Sequence, residues 1–144
     1  MHSIVEIFNK TVRVEWSAAA ESAMASRMEP LRVEMELYFS CLIRKKVRFG
    51  DQAHSREFLP VNSHLAVAFR PVMTKSCKID GENAEAPLSD FEIKNPAAFV
   101  PHWLKIDFRH GNIRFYFFFD TRFNKNVRIG LFDVAIKKLN VLKR

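Results

Sequence analysis

The chain has 144 residues, a formal net charge of +7, and hydrophobic residues at 48% of its positions. This length suits a single domain, residues 1–144, that can bury a core without covalent staples, and two cysteines are too few for a disulfide framework. The longest apolar stretches are far shorter than the roughly 20 residues of a membrane span. We therefore expect a cytoplasmic protein with no membrane association.

The first 30 residues predict one or two strands followed by a helix. Residues 12–16 alternate apolar and charged side chains, which is typical of a half-buried strand, and residues 4–8 either extend this strand or precede it as a short element. Ser17 is a suitable N-cap for a helix over 18–28, because the alanine-rich sequence favours helix. Pro30 ends the helix.

The next segment is a long alternating row. Apolar residues occupy nearly every odd position from Val33 to Phe49, and charged residues fill most even positions. A flat strand of this length would run roughly 55 Å at about 3.3 Å per residue, which is too long for a domain of this size. We therefore predict that the strand bends or breaks near 44–46. The odd positions then face the core, and even positions such as Glu36 face solvent.

Two antiparallel strands are predicted next, at 65–69 and 73–79. A long acidic connection over 82–101 follows, and its Asn95-Pro96 pair predicts a short helix over 96–100.

The clearest supersecondary signal is a hairpin of strands 103–109 and 113–119 around Gly111-Asn112. Glycine at the first position of a two-residue loop predicts a type II′ turn. This register places Arg109 directly opposite Arg114. The outward face of the hairpin then carries Trp103, Lys105, Arg109, Arg114, Tyr116 and Phe118.

The end of the chain supports two interpretations. Residues 127–131 fit a strand, and residues from 132 onward fit a helical stripe. Altogether we predict an α+β fold with a strongly curved, mainly antiparallel sheet of about seven strands and two or three helices packed on one side.

Signals for catalysis and cofactors are weak in this sequence. It has no His-x-x-x-His or Cys-x-x-Cys spacing, no Gly-x-Ser-x-Gly elbow and no phosphate-binding loop. Cys41 and Cys77 have the parity of core residues. We therefore expect no metal, no cofactor and no catalytic residue, and a binding function rather than catalysis.

Charge is distributed unevenly along the chain. Residues 121–144 carry seven bases and one acid, whereas residues 80–92 carry five acids and no base. Bases that contact phosphate and aromatic rings that stack on nucleobases are the parts of a single-strand binding platform.

The sequence therefore favours a non-enzymatic domain that meets a polyanion, such as nucleic acid, or a protein partner through the outward hairpin face. An anion between Arg109 and Arg114 would relieve their mutual repulsion. In an alternative interpretation this face is covered by a helix or a second subunit. The protein would then be a homodimer whose concave sheet face holds a small molecule or carries out catalysis.

Overall fold

Nine strands form two separate sheets in residues 1–39, 44–74 and 88–118, which are the residues that a computed structural model of the chain describes. The strands are β1 (His2–Ile7), β2 (Lys10–Trp16), β3 (Leu31–Phe39), β4 (Arg44–Phe49), β5 (Leu59–Asn62), β6 (Leu65–Thr74), β7 (Leu88–Asp90), β8 (Trp103–Arg109) and β9 (Asn112–Phe118). One α-helix, α1 (Ala18–Ala25), and two 3₁₀ turns, Gly50–Gln52 and Pro96–Phe99, complete the described elements. No helix among them is long and apolar enough to cross a membrane.

Each sheet joins antiparallel hairpins through one parallel pair of strands. The first sheet has the order β1-β2-β8-β9, and the second has the order β4-β3-β6-β5 with β7 also paired to β6. The parallel pairs are β2 with β8 and β3 with β6. The α+β character is thus confirmed, and most strand pairs are antiparallel as predicted. The described residues nevertheless form two mixed sheets with nine strands and one α-helix, whereas the sequence predicted one sheet of about seven strands with two or three helices. Alternation within a strand reveals its buried face and gives no information about which distant strand lies beside it.

The two sheets and the helix share one hydrophobic core. Val12 and Val14 of β2, Val33 and Met35 of β3, and Met24 of α1 are all fully buried in it. The odd positions of β3 therefore face the core as the sequence predicted.

The predicted strand at 12–16 is confirmed as β2, and β1 precedes it as a separate strand. Helix α1 begins where predicted, because Ser17 Oγ accepts a hydrogen bond from the Ala20 N–H at 3.1 Å. It ends at Ala25, three residues before the predicted end. Ser26 accounts for this, since its hydroxyl donates to the Ala23 carbonyl and competes with further helical turns.

The long alternating row is broken, although not where the sequence predicted. β3 and β4 pair antiparallel, with Met35 opposite Val47, so the chain reverses between Phe39 and Arg44 rather than at 44–46. Residues 40–43, which include Cys41, lie outside the described residues.

Strand β6 is longer than predicted and runs through Pro71 to Thr74. Met73 and Thr74, which were predicted to begin the next strand, belong to β6 itself, and the antiparallel partners of β6 are β5 and β7. Residues 75–79 lie outside the described residues. The predicted helix at 96–100 is a 3₁₀ turn. Cys77 and the predicted elements after residue 126 lie outside the described residues.

The shared core leads to a direct stability test. Met35→Ala should lower the free energy of unfolding by about 2–5 kcal/mol, because it removes a fully buried side chain from the central strand of the second sheet. Ile4→Ala is the control, because Ile4 is an exposed apolar residue of strand β1, and it should change stability by less than about 0.5 kcal/mol. Equal losses in denaturant melts would contradict the core described here.

Candidate functional site

The hairpin that carries the predicted binding residues has a different register from the expected one. Its turn residues are His110 and Gly111, with φ of 52° and 77°, so the two-residue loop lies one position earlier than Gly111-Asn112. Positive φ at both loop residues is typical of a type I′ turn, whose twist matches that of the flanking strands. The predicted type II′ turn is therefore wrong.

The new register separates the two arginines that were expected to face one another. Arg109 lies opposite Asn112, and Arg114 lies opposite Asp107. The Arg109 Nε donates to Asp107 Oδ2 at 2.6 Å. The predicted pairing of Arg109 with Arg114 is therefore wrong. Both positions instead adjoin Asp107, Arg109 along β8 and Arg114 across the hairpin.

Asp107 connects the hairpin to the start of the helix. Its Oδ1 accepts hydrogen bonds from Ser17 Oγ at 2.7 Å and from the Phe108 N–H at 2.9 Å. The Ser17 hydrogen bond, with further hydrogen bonds from Arg109 and the Phe108 backbone, lowers the pKa of Asp107. Asp107 is thus a fixed anion beneath the arginine.

The outward face extends from β8 onto β2, because these strands pair in parallel with Arg13 opposite Trp103 and Glu15 opposite Lys105. The Lys105 ammonium lies 5.9 Å from the centroid of the Trp103 ring, and Arg13 Nε contacts Glu15 Oε1 at 2.6 Å. Trp103 is half-buried and Lys105 is exposed.

The remaining predicted site residues occupy register positions on β9. Arg114, Tyr116 and Phe118 lie opposite Asp107, Lys105 and Trp103 respectively. Directly opposed positions share one face of a sheet, so the six predicted residues fall on one face of the hairpin.

A second polar cluster, which the sequence did not reveal, lies on the even-numbered face of β3. Glu34 and Glu36 are both completely buried there, whereas the sequence predicted that this face meets solvent. Glu34 Oε2 accepts hydrogen bonds from the backbone N–H groups of His54 and Ser55, at 3.1 and 2.5 Å. The loop after β4 thus covers this face, and central strand β3 is buried on both sides.

Arg48 of β4 provides the charge that compensates Glu36. Its Nε donates to Glu36 Oε1 at 2.8 Å, and its Nη2 donates to the Tyr38 hydroxyl at 3.0 Å. Arg70 of β6 lies on the other side, with Nη1 at 3.7 Å from Glu36 Oε1. Burial and the hydrogen bond with Glu36 raise the pKa of Tyr38 to about 12.

Glu34 also affects its neighbour Glu36. Burial, with a smaller contribution from the Glu34 carboxyl, raises the pKa of Glu36 and outweighs the lowering effects of Tyr38 and Arg48. Glu34 Oε1 and Glu36 Oε2 are buried with no hydrogen-bond partner in the described part of the chain, so this row of carboxyl groups keeps two unsatisfied oxygens.

A hairpin interpretation of the alternating row could have found this cluster. In the observed register Glu34 lies opposite Arg48 and Glu36 opposite Lys46, so acids face bases across the strands. The predicted bend or break near 44–46, rather than between Phe39 and Arg44, concealed these pairs.

Neither comparison with known proteins nor a search for metal-binding side chains among the described residues points to a function. Within the described residues, no group of three or more His, Cys, Asp or Glu side chains could hold a metal ion. No protein-family model, curated protein or solved structure matches this chain. The function must therefore be argued from the two clusters themselves.

The buried cluster predicts losses of very different size for two substitutions. Glu36→Ala should lower the free energy of unfolding by about 3–5 kcal/mol, because it leaves Arg48 buried without its carboxylate. Glu34→Gln should cost far less at pH 7, because the amide keeps an acceptor for His54 and Ser55 and donates to Glu36. Glu29→Gln, at an exposed position, is the control.

Burial of Glu36 sets a pH dependence. Since the folded-state pKa of Glu36 is raised, its contribution to stability is complete below about pH 4.5 and is lost as the pH rises through the folded-state pKa. Glu34→Gln should lessen this decline without removing it, because burial is the larger cause of the raised pKa. Urea melts between pH 4 and 9 measure it, and a wild-type Glu36 contribution that instead grows over this range would contradict the raised pKa.

Proposed function

We propose that this chain is a non-enzymatic binding domain that meets a polyanion, with single-stranded nucleic acid as the first candidate, through the outward face of β2, β8 and β9. The observation that supports this most is that the bases on that face are more exposed to solvent than the acids with which they pair. The side chains of Arg13 and Arg109 are 55% and 66% exposed, whereas their partners Glu15 and Asp107 are only 26% and 12% exposed.

Recessed acids leave the outermost charge of the face positive. Exposed ion pairs such as Arg13 with Glu15 contribute only about 0–1 kcal/mol, so Arg13 can leave Glu15 for a phosphate with little loss of stability. Asp107, whose pKa is lowered, stays ionised and orients Arg109 without reaching the surface itself.

The half-buried Trp103 supports the nucleic-acid form of the proposal. A ring at the level of the sheet surface, with Lys105 beside it, combines a stacking platform with a phosphate contact. The register position of Tyr116, opposite Lys105, extends the same row. Base stacking tolerates any sequence, so we expect binding with little sequence preference.

Salt dependence of oligonucleotide binding tests this proposal. A single-stranded oligonucleotide should bind with a log–log salt slope of about −0.7 per phosphate neutralised, and the Lys105→Gln/Arg109→Gln double variant should flatten the slope by about one to two phosphates. Trp103→Leu should weaken binding by about 1–3 kcal/mol and leave the slope unchanged. Lys94→Gln, an exposed base outside this face, is the matched control.

Tryptophan fluorescence gives an independent readout, because Trp16 is buried and Trp103 is half-buried. Oligonucleotide should quench the wild type and have no effect on Trp103→Leu. If Lys137→Gln/Lys138→Gln lowers the slope and the hairpin variant does not, binding belongs to the basic end of the chain and the proposal fails. A change of sedimentation mass in Trp103→Leu, with oligonucleotide binding intact, would favour the homodimer instead.

A further inference from the structure

A groove of about 640 Å³ lies beside strand β6, on the side where two short strands pair with it. β5 pairs with the start of β6 and β7 with its end. The groove is lined by the intervening residues of β6, by the end of β1, by the loop at 54–57 and by the segment after β7. Its size falls in the range of small-molecule sites.

Aromatic rings form the apolar part of this groove. Phe8, Phe69 and Phe91 line it, and the Phe8 and Phe69 rings meet edge to face with centroids 6.4 Å apart. Phe8 is 49% exposed although it is a large hydrophobic residue. The groove therefore presents an accessible ring rather than a filled core.

The backbone at Phe8 is unfavourable for that residue. Phe8 and Asn9 form the β1–β2 turn with φ of 50° and 59°. Asparagine and glycine are the common residues in such a turn, and a bulky side chain at positive φ is an outlier. The sequence keeps the ring at the groove at the expense of turn stability, a pattern that is common at functional sites.

The charged part of the lining is acidic, in contrast to the chain as a whole. Four carboxylates, Glu6, Glu57, Asp90 and Glu92, line the groove together with two arginines, Arg56 and Arg70.

One of these arginines is already engaged. Arg70 Nε contacts Asp90 Oδ1 at 2.6 Å, and Arg70 Nη1 lies 3.7 Å from the buried Glu36. The remaining lining then has three exposed carboxylates, Glu6, Glu57 and Glu92, against Arg56.

We propose that this groove binds a small organic cation, an amine or guanidinium with an apolar body. The exposed ring of Phe8 attracts a cation through its π face, and the carboxylates at the rim attract it through charge. An anion of the same size would meet three carboxylates and one arginine. This site is independent of the polyanion face, and its charge is opposite.

Two probes of one shape test the proposal on the full chain. Phenethylamine and 3-phenylpropionate share a ring and a two-carbon linker and differ mainly in the sign of their charge. Phenethylamine should produce saturable shifts of the backbone amide resonances of residues 6–8 and 67–70, whereas 3-phenylpropionate should not. Equal or tighter binding of 3-phenylpropionate, or no saturable shift with phenethylamine up to its solubility limit, would overturn the assignment.

Variants of the two halves of the site sharpen this test. Phe8→Asn should weaken phenethylamine binding about three- to tenfold while leaving the unfolding midpoint unchanged or raised, because asparagine tolerates the turn. Glu57→Gln/Glu92→Gln should weaken it about threefold, and Glu29→Gln should have no effect. Unchanged affinity in both groove variants would overturn the proposal, and the glutamine variant keeps the test decisive if Phe8→Asn fails to fold.

Discussion

The buried ion pair between Glu36 and Arg48 is the interaction on which the described structure depends. It lies on the second face of the central strand β3, and one partner comes from β3 and the other from β4. A register slip of one residue would move every side chain of β4 to the opposite face and leave Glu36 buried without compensation. From the same face, Glu34 holds the backbone of His54 and Ser55, and Arg70 links Glu36 to Asp90.

These links connect the cluster to the groove. The loop at 54–57 and the segment after β7 form two of its walls, and each wall is fastened to the carboxyl row of β3. On the other sheet Asp107 has a comparable role, because it ties the hairpin to the first turn of α1 and orients Arg109. In both places a recessed acid fixes an arginine. The two proposed surfaces therefore carry charge of opposite sign, since bases project from one face and carboxylates surround the groove.

Local chemistry in the sequence predicted local structure well. The Ser17 cap, the buried odd positions of β3 and the existence of the hairpin all follow from patterns within a few residues. The parallel pairing of β3 with β6 could not be predicted, because nothing in either strand specifies its distant neighbour. Burial of Glu36 was missed for a related reason, since a charged residue on an alternating strand indicates solvent unless its partners Arg48 and Arg70 are known to be adjacent.

The raised pKa of Glu36 is the most direct test of this account, because its main cause is burial of that carboxyl on the second face of β3. Carbon-13 NMR of the glutamate side-chain carboxyl groups during a pH titration measures it. The account predicts that Glu36 titrates above the ordinary glutamate range, and that Glu34→Gln lowers its pKa only in part, because burial remains. If Glu36 titrates as an ordinary exposed glutamate does, the second face of β3 is open to solvent, and the groove walls proposed here lose their anchor.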